Sequence, residues 1–223
     1  IEYEDIATSS IDLYNPDHYM IDANMDISNS AYSSDFDITK KQTGIYLQDQ
    51  MIINDLTIIA GLRYDDFKST EKGKKYNADT DTQLKQHELS GRIGAMYNFD
   101  NGISPFISYA QSFEPVSGSD RLGNEFVPAT ADQFEIGLKY NPLETDTSLT
   151  LSAFRIVKDD VITRDPNGSA YDKIQAGEVT SQGLELALKQ GLTDNLSLDF
   201  NATIMDMQFT KDSDLKGKTP VWV

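Results

Sequence analysis

Only two histidines, His18 and His87, are available for acid–base or metal chemistry, and neither stands at ligand spacing from another. There is no cysteine, which excludes thiolate metal sites, cysteine nucleophiles and disulfides. Serines and aspartates are plentiful, but no GxSxG elbow presents a serine to a histidine. Paired carboxylates fall in polar stretches with no pocket to desolvate them and raise a pKa. Asp165-Pro166-Asn167-Gly168 opens like a calcium loop yet lacks the later acidic positions, so it reads as a type I turn. Asp120-Arg121-Leu122-Gly123-Asn124 reads as a second loop turn. No catalytic residues and no metal ligands are assigned. The residues do not describe an enzyme, and no cofactor is implied.

Charge narrows the partners. Nineteen Lys plus Arg against 36 Asp plus Glu give −17, the wrong sign for nucleic acid. The same sign suits a lumen and outer loops that attract cationic or metal-bearing cargo.

The elements that position these residues are strands. Leu56, Ile58, Ala60, Leu62 and Tyr64 alternate with Thr57, Ile59, Gly61, Arg63 and Asp65. Ten residues at about 3.3 Å each, tilted by about 40°, project to about 25 Å, the height of the apolar band on a membrane barrel. The alternation returns over Leu89–Phe99, Phe134–Tyr140, Leu184–Lys189 and Leu196–Ile204. Three further strands are less regular: Thr43–Ile53, where Asp49 interrupts an apolar face, Ile103–Phe113, and Leu149–Val157. In the last, Phe154 and Ile156 break the alternation and leave its faces open beyond Ala153. No apolar run approaches the roughly 18 residues of a spanning helix.

Connections alternate in length. Short turns are expected at Asn54-Asp55, Asp100-Asn101-Gly102, Asn141–Thr147 and Gly191–Asn195. Long polar loops are expected near Asp66–Glu88, Glu114–Asp132, Lys158–Asp172 and Thr210–Pro220. Short turns on one side and long loops on the other are the habit of outer-membrane barrels. Aromatics at strand ends, such as Tyr64/Phe67, Tyr97/Phe99 and Tyr109/Phe113, fit interfacial girdles. The fold expected is all-β: an antiparallel up-and-down transmembrane barrel section of about eight or nine strands. Residues 1–37 form an extracellular loop region and 38–223 successive hairpins. Long outer loops and the lack of a closing strand make it a section of a larger barrel.

Eight segments carry a family resemblance. They are IDLYNP (Ile11–Pro16), KKQTGIYLQDQ (Lys40–Gln50), GLRYD (Gly61–Asp65), SPFISYAQSFEP (Ser104–Pro115), QFEIGLKY (Gln133–Tyr140), TRDPNG (Thr163–Gly168), GEVTSQGLELALK (Gly177–Lys189) and GKTP (Gly217–Pro220). In this order and spacing the chain resembles the TonB-dependent siderophore receptors, the ferric hydroxamate branch especially. The resemblance implies a 22-stranded barrel filled by an N-terminal plug, with plug, early strands and final strands lying outside this chain. It implies a ferric siderophore as cargo, energy from TonB–ExbB–ExbD through the plug, and an outer-membrane setting among lipid and lipopolysaccharide. By the same resemblance Tyr14, in IDLYNP, stands where an aromatic meets the ligand, with Tyr19, Phe113 and Tyr171 as further aromatic candidates. Strand parity aims Arg63, Arg92, Glu135, Lys139, Glu185 and Lys189 into the lumen. There they are expected to form a network that holds the plug, with the adjacent strands carrying Arg63 and Arg92, then Glu135 and Lys139, pairing across the wall. Two other readings share the alternation: a passive porin or structural barrel, and a soluble β-rich sandwich or adhesin.

Overall fold

A computed structural model describes residues 34–75, 78–143, 145–169, 171–212 and 214–220. Among them, eight strands pair antiparallel in chain order to make one sheet. They are β1 Ser34–Ile53, β2 Leu56–Lys75, β3 Ala78–Tyr97, β4 Ile103–Glu114, β5 Ala129–Tyr140, β6 Thr147–Arg164, β7 Lys173–Thr193 and β8 Leu196–Lys211. No helix forms among the described residues, and every neighbour in the sheet is a neighbour in sequence. This is the up-and-down hairpin order that the alternation predicts.

The strands are longer than their apolar alternation. Most of Asp66–Glu88, expected as a loop, is strand: β2 runs on to Lys75 and β3 starts at Ala78. β6 and β7 likewise reach Arg164 and back to Lys173, so their outer connection shrinks to residues 165–172. β8 extends to Lys211, leaving 212–220 as the expected loop beyond it. β1 opens at Ser34, inside the segment assigned to a loop region over 1–37. The physical reason is common to all. Past the apolar alternation the strand positions are filled largely by polar residues, even where they are buried as Ser69 and Gln86 are, so the hydrophobic pattern vanishes while the backbone ladder continues. The stretch expected as a loop near Glu114–Asp132 is one, over residues 115–128.

On the other side the turns are tight. Asn54 takes φ 52° between β1 and β2, a left-handed conformation that asparagine tolerates well. The turn expected over Gly191–Asn195 contracts to Asp194 and Asn195, because β7 keeps pairing as far as Thr193 with a register irregularity after Gly191.

The chain divides into two compact units, Ile1–Thr43 with Asp66–His87, and Gly44–Asp65 with Glu88–Val223. In the first, Phe67 and Leu84 are buried alongside Ser69 and Gln86. In the second, burial is sparse: Phe126, Ala129 and Val179 are its buried apolar residues among those described. Large apolar side chains are instead exposed along the sheet, Ile136, Leu184, Leu198 and Ile204 among them. A water-soluble domain rarely exposes so continuous an apolar surface.

Candidate ligand-facing wall and its outer loops

Register fixes which residues share a face. Ile107, Ile136, Ala153, Leu184 and Ile204 are successive cross-strand partners from β4 to β8. The next row down the strands is Pro105, Leu138, Leu151, Leu186 and Ala202, and the row above is Tyr109, Phe134, Arg155, Gln182 and Asp206. The apolar face therefore gives way to polar residues within a single step. Tyr109 Oη donates to Asp132 Oδ1 at 2.6 Å, and Gln111 Nε2 reaches the same oxygen at 3.1 Å. Near the turns, Tyr97 and Phe99 pack edge to face with centroids 4.8 Å apart. An apolar band closed by aromatics and polar partners at both ends is the surface a bilayer requires.

The opposite face is built from Ser108, Glu135, Phe154, Gly183 and Met205 in one row and Ala110, Gln133, Ile156, Ser181 and Met207 in the next. Phe154 and Ile156, left open by the alternation, thus lie on this second face together with Glu135. Arg63 and Asp65 share it on β2, where the Arg63 Nε and Nη2 donate to the two Asp65 oxygens at 2.5 and 2.8 Å. Asp65 is fully buried by this arrangement, with Arg63 half exposed above it. The pair fits because position 44 is glycine. A Cβ there would lie 2.3 Å from Arg63 Nη2 and 2.6 Å from Asp65 Oδ1.

The expected pairings across the wall do not form as drawn. Arg63 is held by Asp65 on its own strand, and Arg92 Nη2 donates to Gln48 Oε1 on β1. Glu135 and Lys139 both stand on β5, four residues and about 13 Å apart. Lys139 instead places its Nζ 5.6 Å from the centre of the Phe106 ring. Lys189 is the register partner of Asp199 on β8, and Glu185 that of Thr203. Asp65 is two residues from Arg63 and therefore on its face, so parity alone was enough to find this partner.

The outer loops are tied to one another. Asp120 organises the 120–124 turn: its carboxylate accepts from Asn124 Nδ2 and from the backbone N–H groups of Asn124 and Leu122, at 2.8–2.9 Å. The Asn124 side chain, then its N–H, hold the Asp120 carboxyl below its ordinary range. Arg121, presented by that turn, donates Nε to Asp165 Oδ2 at 2.7 Å. Asp165 opens the turn closed by Gly168 N–H on the Asp165 carbonyl at 3.1 Å, as TRDPNG predicts, and its carboxylate accepts from Arg121 and from the Asn167 N–H. Ser169 N–H donates to Asp172 and holds that carboxyl low as well. Gln175 completes the tie, accepting from Val127 N–H and donating to the Val127 carbonyl at 2.8 and 2.6 Å.

Of the aromatic candidates, Tyr14 and Tyr19 lie outside the described residues. Phe113 is the register partner of Thr130 and falls on the Tyr109 face, so it stands with the girdle and away from the Glu135 face. Tyr171 projects from the 165–172 loop at 91% exposure.

Comparison with known proteins gives one answer. The family model for the TonB dependent receptor-like β-barrel matches residues 2–222. The ferrichrome outer membrane transporter/phage receptor of Escherichia coli K12 is 32% identical over 223 residues, which is 99% of this chain and 29% of that protein. The ferrioxamine B receptor of Salmonella typhimurium SL1344 is 33% identical over 78% of this chain and 24% of its own length. Among solved structures, the siderophore receptor PiuA of Acinetobacter baumannii superposes with a TM-score of 0.70 at 23% identity, covering 84% of this chain and 30% of that one. The alcaligin receptor FauA of Bordetella pertussis gives 0.67 at 20% identity, over 78% of this chain and 31% of its own. The chain thus spans under a third of the length of each of these two receptors. Its continuous apolar face suits the side of a barrel wall that meets lipid, and the polar face that carries Glu135 is the opposite one. The chain belongs to the TonB-dependent receptor-like β-barrel family, whose members are receptors of the bacterial outer membrane and not enzymes.

Proposed function

We propose that the protein to which this wall belongs imports ferric siderophores of the hydroxamate class across the outer membrane, driven through TonB and its ExbB–ExbD partners. The observation that carries this reading is the match over nearly the whole chain to a ferrichrome transporter, joined by the ferrioxamine B receptor at similar identity. Both cargoes are hydroxamate chelates. The acidic balance of the chain supports it, since it favours approach of cationic or metal-bearing cargo. Such cargo arrives with its iron already wrapped, so the wall needs no iron ligands of its own. Tyr14, Tyr19 and Tyr171 are proposed as aromatic contacts, and lipopolysaccharide as the neighbour of the apolar face.

The test is uptake of radiolabelled iron, presented as a ferric hydroxamate, by cells carrying the complete gene as their sole such receptor. Uptake is expected to vanish when TonB is deleted. Uptake that survives the deletion would assign the barrel to passive diffusion. In the same assay Tyr14→Ala is expected to weaken binding by about 0.5–2 kcal/mol, one aromatic contact among several.

A further inference from the structure

Beyond the apolar rows the ladder joining β6, β7 and β8 breaks twice, and both breaks fall at one residue. Lys158 pairs with Val179 and Val161 with Gly177, so Glu178 alone stands opposite Asp159 and Asp160. On its other side Glu178 pairs with Lys211 while Val179 pairs with Phe209, which leaves Thr210 as the extra residue. Each break is a bulge, and a bulge re-aims the side chains it carries. Here they are aimed at Glu178. Thr210 Oγ1 donates to Glu178 Oε1 at 2.5 Å, and Lys211 Nζ meets Glu178 Oε2. The same ammonium stands 3.6 Å from Asp159 Oδ1. Asp160 takes φ 59° at the bulge, and its carbonyl accepts from Gln175 Nε2 at 2.8 Å.

Side chains thus hold three strands where ladder bonds are interrupted, and their charges do not balance. One ammonium serves two carboxylates. From β5, Thr130 stands opposite Asp159, and Asp132 one row below is occupied by Tyr109 and Gln111. On β6, Asp160 adds a further negative charge beside Asp159, and Lys158 is turned to Glu114 with Nζ–Oε2 at 2.6 Å. Asp212, next after Lys211, accepts from the N–H groups of Asp214 and Leu215 and has Lys218 nearby. Among the described residues no other cation reaches the pair within ion-pair distance. Asp159 is the less well held of the two acids. Burial, then the Glu178 charge, keep its carboxyl above the ordinary range, whereas Lys211 and then Thr210 keep Glu178 below its own.

We propose that this junction is an acid-responsive clasp, in which a proton taken by Asp159 draws the outer ends of β6, β7 and β8 together. The segment it controls is 212–220, which starts beside Lys211 and folds back on β8. Phe209 N–H donates to the Lys218 carbonyl at 3.0 Å, and Gly217 N–H to the Phe209 carbonyl at 2.8 Å. In mild acid the protonated Asp159 donates to Glu178 and leaves Lys211 to that carboxylate. Near neutral pH two anions share one cation, and their repulsion falls on strands whose ladder is already interrupted. The two carboxyls set the direction of the response. The contribution of Asp159 is complete below the ordinary aspartate range and is lost as pH rises through its raised folded value. That of Glu178 is complete above the ordinary glutamate range and is lost as pH falls through its depressed folded value. Closure therefore peaks in mild acid. The clasp lies on the side of the long connections, so the medium outside the cell sets its protonation. It acts without cargo and is independent of the transport reading.

The experiment uses the full-length receptor in lipid vesicles, with a nitroxide attached through Lys216→Cys at an exposed position of the 212–220 segment. Label mobility is read from about pH 7.5 down to about pH 4, across the range in which carboxyls titrate. The mobile fraction is expected to fall several-fold between neutral pH and mild acid, then to rise again at the acid end. Asp159→Asn, whose amide N–H replaces the O–H of the acid, is expected to hold the label still already at neutral pH. Asp159→Ser, which removes the charge without an amide, is expected to flatten the response as well, and Glu178→Gln to leave the label mobile throughout. A mobile fraction in the wild type that does not change between neutral pH and mild acid would overturn the clasp. A wild-type response preserved in both Asp159 variants would overturn it too, by placing the titrating group elsewhere. Mobility is read without chelate and iron uptake without label, so failure of the clasp and failure of the transport reading are distinguishable.

Discussion

Arg121 and Asp165 are 44 residues apart in sequence and meet at 2.7 Å, joining the β4–β5 loop to the β6–β7 loop. The Asp165 carboxylate is almost wholly buried while the guanidinium remains 44% exposed. Removing Arg121 therefore leaves a shielded anion without its partner, whereas the barrel beneath loses nothing. Arg121→Ala is expected to cost about 0.5–1.5 kcal/mol of local loop stability. Limited proteolysis of intact cells should cut the loop over 115–128 several-fold faster. The melting temperature of the barrel should not move. An unchanged cleavage rate would mean that the Gln175–Val127 hydrogen bonds alone hold the loop.

Gly44 is the floor under the Arg63–Asp65 pair. Gly44→Ala is expected to push the guanidinium off its bidentate seat, because the new methyl falls within 2.8 Å of three of the pair's atoms. The cost should be about 1–3 kcal/mol, an overpacking penalty beside a buried carboxylate. Reversible unfolding in lipid vesicles measures it. Gly123→Ala supplies the comparison for removal of a glycine from a loop, since a Cβ there has open space around it and only its φ of 84° resists.

Leu198 and Asp199 are adjacent and face opposite sides. Asp199 partners Lys189 across β7–β8, while Leu198 stands in line with Phe200 and Ile204 on the lipid side. Leu198→Arg is expected to cost up to about 2–4 kcal/mol if the site is near the bilayer midplane, and Asp199→Arg much less in hydrocarbon terms. Equal costs in the same unfolding measurement would contradict the face assignment.

The Asp120 turn carries a pH dependence whose sign is fixed. Its carboxyl is held low in the folded loop by Asn124 and its neighbours. The stabilisation is thus complete above the ordinary aspartate range and is lost as pH falls through the depressed folded value. Amide exchange of Leu122 and Asn124 should stay protected from neutral pH down into that range and then rise. Asp120→Asn should flatten the profile. Protection that fell already near neutral pH would place the titrating group elsewhere.

The sequence disclosed the parts of this fold that lipid dictates. On β5, β7 and β8 the alternation named the lipid face residue by residue, and the register agrees with it for Phe134, Ile136 and Leu138. On β6 it failed at Phe154 and Ile156 because two apolar residues sit on the inner face, and only pairing to Glu135 and Gln133 shows which side they take. The far halves of β2 and β3 were invisible for the opposite reason. Burial there does alternate, but Ser69 and Gln86 fill buried positions beside Phe67 and Leu84, so the polarity of the sequence carries no period. The turns at Asp120 and Asp165 were legible from their own residues, but the ion pair between them was not, since nothing local to either turn encodes the other.

Those long hairpins change what the cell shows to its surroundings. Residues 66–75 of β2 and 78–87 of β3 add ten residues of strand each, about 33 Å at about 3.3 Å per residue. The outer parts of β2 and β3 are therefore a paired ribbon, with backbone groups already bonded and side chains fixed at two-residue intervals. An antibody raised against a free peptide copying 66–75 would meet a different shape on the bacterium. What the surface offers for immune recognition here is a conformation, and a vaccine fragment would have to keep both strands to display it.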